Sequence, residues 1–112
     1  MKPVQWLGSS RADLRAFPRN ARRVAGFQLH RVQLGLEPND WKPFRSVGPG
    51  VREIRVHTDR EHRVVYVATF AEAVYVLHAF AKKTAKTARR DIRVARARFE
   101  ALLGEKRGSH AP

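Results

Sequence analysis

A chain of 112 residues with a hydrophobic fraction of 43% has room for one sheet, a few helices and a single core, and none for a second domain. Its 23 Lys and Arg stand against 10 Asp and Glu, a formal +13, and a surface so charged attracts polyanions, nucleic acid before others. Cysteine is absent, which excludes a disulfide framework and a thiol nucleophile, and no apolar leader or 18-residue apolar run is present, so the sequence reads as cytoplasmic and non-membrane.

Pro3 to Leu7 is a short apolar-leaning run closed by Gly8, an edge strand. Ser9 and Ser10 offer helix caps, and Ser10 with Asp13 matches a capping box for a short helix through Leu14. Pro18 suits the first turn of a second helix. Its apolar stripe is Ala21, Val24, Ala25, Leu29, Val32 and Leu36, and Gly35 with Pro38 marks its stop. Phe44 to Val47 reads as a short extended run before Gly48-Pro49-Gly50. From Val51 to Thr58 the residues alternate, Ile54 and Val56 on one face, Glu53, Arg55 and His57 on the other. Arg63 to Phe70 has the Val and Tyr content of a central strand, and Ala73 to Ala81 reads as the last, with Val76, His78, Phe80 and Lys82 on one face and Leu77 and Ala79 on the other. Thr87 can cap a final helix with the stripe Ile92, Ala95, Phe99 and Leu102; residues 104–112 read as a frayed polar tail. The expected fold is α+β: an antiparallel sheet of four to five strands, two N-terminal helices and one C-terminal helix, order βααββββα, in one domain over 1–112. The helices are expected on one face of the sheet.

Charge is unevenly placed on this plan. Residues 1–31 hold seven basic residues and one acid, residues 32–81 six of each, and residues 82–107 ten basic and three acidic. The excess lies on the helices and the end of the last strand. Lys83, Lys86, Arg89, Arg93, Arg96, Arg22 and Arg23 are therefore the expected contacts to nucleic acid, with Phe80 as a stacking platform for a base.

No metal spacing joins the five His, no nucleophile elbow supports a serine triad, and the glycines form no phosphate loop. No cofactor is expected. What remains is a set of polar residues on strands that otherwise carry core: Glu53, Arg55, Arg63, His78 and Lys82. With helices on the apolar face, these converge on an exposed concave face. Such a set suits RNA cleavage without metal: Arg55, Arg63 and Lys82 as cations for the pentacoordinate phosphate, Glu53 or His78 for the protons. The structural alternative is a cross-strand ion pair for Glu53 with Arg55 or Arg63, a sheet histidine for His78, and packing for Phe80.

Gly50-Val-Arg-Glu-Ile-Arg55, His62-Arg-Val-Val-Tyr66, Val76-Leu-His-Ala-Phe-Ala-Lys-Lys-Thr84 and the opening Trp6-Leu-Gly-Ser-Ser10 together resemble the phage-derived, HigB-like branch of the RelE/ParE toxins. The likeness runs from residue 4 to about residue 103. It implies the RelE-like sheet, a type II toxin–antitoxin partner of the helix-turn-helix, HigA-like kind, and cleavage of mRNA on the ribosome. It also implies an active-site role for the arginine of the Arg-Val-x-Tyr segment, here Arg63. This chain departs from the pattern at Glu53, where a cation is common, and at Lys82-Lys83, which replace a late His or Tyr. A ParE-like, non-hydrolytic gyrase inhibitor and a degenerate basic RNA-binding prophage protein are the alternatives, since the fold is shared.

Overall fold

A computed structural model describes residues 1–109. The elements are β1 (Val4–Trp6), α1 (Ser10–Arg15), α2 (Arg19–Gln33), β2 (Trp41–Pro43), β3 (Val51–His57), β4 (Glu61–Val67), β5 (Val74–Ala81) and α3 (Arg89–Ser109). This is the expected α+β order. The five strands lie in the order β1-β5-β4-β3-β2. The β3-β4-β5 meander is antiparallel, β2 joins β3 antiparallel, and β1 closes the opposite edge parallel to β5. Among the described residues, no helix is long and apolar enough to cross a membrane.

The helices do not share a face. Leu14, Ala21, Ala25, Leu29 and Val32 from α1 and α2, with Phe17 from the corner between them, pack on Ile54, Val56, Val64, Tyr66, Val76 and Ala79. Ala95, Phe99 and Leu102 from α3 pack on Val51, Val65, Val67, Tyr75, Leu77 and Phe80 across the sheet. The reason is legible in the strands. β3 alternates, as a half-covered strand does, whereas Val64–Val67 and Val74–Leu77 are continuous apolar runs that need cover on both sides.

Four local expectations change. The extended run before β3 is Trp41–Pro43, not Phe44–Val47, which is a turn closed by the bond from Val47 N–H to the Phe44 carbonyl. Trp41 sits opposite Ile54, and the Arg52 guanidinium lies 3.9 Å from its ring centroid; Pro43 is tolerated because β2 is a sheet edge. Ser10 makes no capping box: its hydroxyl, fully buried, donates to the Val76 carbonyl at 3.1 Å, while Ser9 Oγ donates to Asp13. A register shift against Val65 and Tyr66 leaves Leu77 as an extra residue in β5. Leu77 and His78 both turn toward α3 as a result, so Val76 does not share a face with His78 and Phe80. Finally, helix replaces the expected frayed tail through Ser109, and only residues 110–112 of that tail lie outside the described residues.

The end of α3 is tied down. The Lys106 ammonium lies 5.1 and 5.2 Å from the ring centroids of Phe70 and Tyr75 and donates to the Glu72 carboxylate, which also accepts from the Tyr75 hydroxyl at 2.6 Å. The Lys106 hydrogen bond, with the Tyr75 bond second, pulls the Glu72 carboxyl down to about 2. At its middle, α3 rests on Gly48: a Cβ there would fall inside van der Waals contact with the Phe99 ring. Gly48→Ala is therefore expected to destabilise the fold by about 1–3 kcal/mol through overpacking, read as a lower urea midpoint with an unchanged slope.

Candidate active site

The meander's register sets out a grid on the face that α3 covers. Three cross-strand rows run over β3, β4 and β5: Glu53–Val65–His78, Arg55–Arg63–Phe80 and His57–Glu61–Lys82. Every residue expected in the site stands in that grid, with Arg63 at its centre. Sequence alternation placed them correctly on one face.

Burial separates them again. Arg63 is 3% exposed, and the concave face is not open, because α3 lies over it. Arg63 Nη1 donates to Glu61 Oε1 and to the His62 carbonyl, both at 3.0 Å, and Nε lies 3.9 Å from Glu53 Oε1. Arg55 Nε lies 3.9 Å from Asp40 Oδ1. His57 bridges Asp40 and Glu61 at 2.6 Å each. That His57 bond, with Arg63 in support, holds the Glu61 carboxyl below its ordinary value. The expected clamp of Arg55 and Arg63 is thus closed on carboxylates, and Glu53 Oε2 and Arg63 Nε are left buried without a hydrogen-bond partner. A buried cation held by two acids neutralises charge and fixes register.

His78 has a different partner. Its Nε2 lies 2.8 Å from Oδ1 of Asp91, in the first turn of α3, and its ring stacks on Phe80 at 5.1 Å. An Asp carboxylate only accepts, so it fixes the proton on Nε2 and leaves a lone pair on Nδ1, which is buried and unbonded. Phe80 is buried, 8% exposed, and packs in the α3 core, not as an open platform.

Beside this pair the surface opens. β1 covers only Val74–Val76, so His78–Ala81 has no strand on its outer side. A cleft of about 620 Å³ runs along that edge between the α1–α2 corner and the first turns of α3. His78, Phe80 and Asp91 reach it from one side and His62, 3% exposed and tilted against Phe17 with ring centroids 4.4 Å apart, from the other. Arg60, Arg90 and Arg98 stand around it. Arg98 is anchored, Nη1 to the Leu77 carbonyl at 2.9 Å and Nη2 to Ser9 Oγ at 3.0 Å.

The model of the phage-derived, Gp49-like protein family (DUF891) matches residues 12–100. The chain belongs to this family. The Gp49-like family is a family of RelE-like toxins from toxin–antitoxin systems. Comparison with curated proteins gave no match.

The match spans every strand of the Gp49-like meander and most of α3, so the grid and all of the cleft except Ser9 lie inside the family domain. The basic residues expected to bind nucleic acid divide between two sides. Lys83, Lys86, Arg89, Arg93 and Arg96 are exposed on α3 and the segment before it, Arg96 also donating to the Ser46 carbonyl. Lys82 is half-buried at the start of that segment. Arg22 and Arg23 are exposed on α2, across the sheet. Sequence reasoning missed His62, Asp91, Arg60, Arg90 and Arg98. Asp91 alone left a signal, as the one acid in the stretch from Lys82 to Phe99. Among the described residues no cluster of His, Asp and Glu is placed to hold a metal ion.

Proposed function

We propose that this Gp49-like toxin is an endoribonuclease that cuts mRNA on the ribosome and is held by a cognate, HigA-like helix-turn-helix antitoxin. The observation that carries the reading is the His78–Asp91 pair at 2.8 Å on the wall of a cleft flanked by Arg60, Arg90 and Arg98. Cleavage without metal needs a base to take the proton of the 2′-hydroxyl as its oxygen attacks phosphorus. It needs cations for the charge that builds on the phosphoryl oxygens, and a proton for the departing 5′-oxygen.

In this reading His78 takes the 2′-hydroxyl proton and returns it to the 5′-oxygen, and the Asp91 carboxylate stabilises the imidazolium between the two steps. Arg60, Arg90 and Lys82 carry the phosphate charge. Arg63 and Glu53 act behind them as positioning residues, with Arg55. Both nitrogens of His78 are covered, Nε2 by Asp91 and Nδ1 by packing. Engagement of RNA therefore requires the packing over Nδ1 to yield while the first turn of α3 keeps Asp91 on Nε2. Lys83, Lys86, Arg89, Arg93 and Arg96 would hold ribosomal or messenger phosphates over that turn.

The test is primer extension on an mRNA translated in a purified system. New 5′ ends on ribosome-bound message are expected, and intact message with arrested translation would refute the nuclease reading. Binding of a labelled single-stranded RNA should weaken with salt along a steep log–log slope, about −0.7 for each phosphate neutralised. The covered His78 and the Arg63 clamped by two acids favour one rival, a ParE-like inhibitor of DNA gyrase without hydrolysis. A supercoiling assay run beside the primer extension separates the two.

A further inference from the structure

The outer face of α2 has features that neither the core nor the cleft uses. Phe27 is 55% and Leu34, at the helix end, 52% exposed, two of four large apolar side chains left exposed among the described residues. They stand seven residues apart, hence on one side of the helix. Beside Phe27 is a hollow of about 480 Å³ that Asn20, Arg23 and Val24 help to line.

Next to Phe27 in the chain, and about 100° round the helix from it, is the exposed Gly26. A glycine inside a helix is unfavourable relative to alanine and is kept where a neighbour needs the room. Here the protein itself makes no such demand, because nothing lies within 4 Å of a Cβ built at Gly26 and its φ is not positive. The room is on the outside. Charge gives the third observation. α2 carries Arg19, Arg22, Arg23 and Arg31 and not one acid, and among the described residues none of the four is ion-paired. Arg22 and Arg31 donate only to backbone carbonyls, those of Arg15 and Glu37.

We propose that this face of α2 docks an amphipathic helix of a partner protein, one that carries acids around its apolar stripe and crosses α2 closely at Gly26. Phe27 and Leu34 would enter the partner's apolar stripe, and Arg19, Arg22 and Arg23 would meet its carboxylates. A second copy of the same chain is a poor occupant, since it would set four arginines against four. RNA would use the arginines but has no need of Phe27, Leu34 or the notch. The inference stands apart from the nuclease reading, because α2 lies across the sheet from α3.

The test uses isotope-labelled full-length protein and two synthetic helical peptides. Both have leucine at i, i+3, i+4 and i+7; the remaining positions are mostly glutamate in one and lysine in the other. The glutamate peptide is expected to shift the amides of Arg23, Gly26, Phe27, His30 and Leu34, and the lysine peptide to shift none. Gly26→Leu and Phe27→Ser should each weaken the glutamate peptide at least tenfold. Gly26→Ala should weaken it too, while raising Tm by about 4 °C. A merely structural glycine would not separate those two effects in that way. The proposal fails if the glutamate peptide moves none of these amides at about 1 mM. It also fails if Gly26→Leu binds it as well as the native chain does, or if single-stranded RNA moves these amides and displaces it.

Discussion

His78→Gln is expected to lower RNA cleavage by about 10²–10⁴-fold, the range for removing a general acid–base group, while the protein stays folded. Glutamine can still donate to Asp91 from its amide, so the 2.8 Å contact to the first turn of α3 has a substitute. It cannot carry a proton from the 2′-hydroxyl to the 5′-oxygen. Asp91→Asn should cost less, because it spares the imidazole and removes the carboxylate that fixes its proton and steadies its charge. The measurements are single-turnover cleavage of ribosome-bound message and a urea midpoint for each variant. A His78→Gln protein that cuts at the native rate would remove His78 from the chemistry and leave the cleft a binding surface.

Most of the fold was legible because its signals are local. Alternation at Ile54 and Val56, the Gly35 stop and the stripe of Ala95, Phe99 and Leu102 each specify an element without its neighbours. What was not legible is non-local. The apolar runs Val64–Val67 and Val74–Leu77 announced strands covered on both faces, yet nothing local says which helix crosses to the second face. The extra residue at Leu77 reverses the facing of Val76 relative to His78, and no residue type marks it. The site divides in the same way. Period two placed Glu53, Arg55, Arg63, His78, Phe80 and Lys82 on one grid. It could not show that Asp91 would close on His78, that two carboxylates would close on Arg63, or that β1 would end at Trp6 and leave a cleft flanked by Arg60, Arg90 and Arg98.

Arg63 decides between two views of the grid, because it is the residue the family likeness marks as active and the one the structure buries deepest among the expected site residues. Arg63→Met keeps much of the stem volume and removes the charge. Glu53, 14% exposed with one oxygen already unbonded, is then left without the Arg63 charge beside it. The expected loss is about 3–5 kcal/mol of folding stability, the cost of stranding one partner of a buried pair. A urea titration reads it. Removing the acid as well, in Glu53→Leu with Arg63→Met, should restore most of that loss, since a pair replaced by apolar groups leaves no stranded charge. Any drop in cleavage by Arg63→Met then has to be judged per folded molecule. A variant that folds as well as the native chain yet no longer cuts would show a cation acting on phosphate. A double variant that regains both stability and cleavage would show that Arg63 serves the reaction only by holding β3 and β4 in register beneath His78.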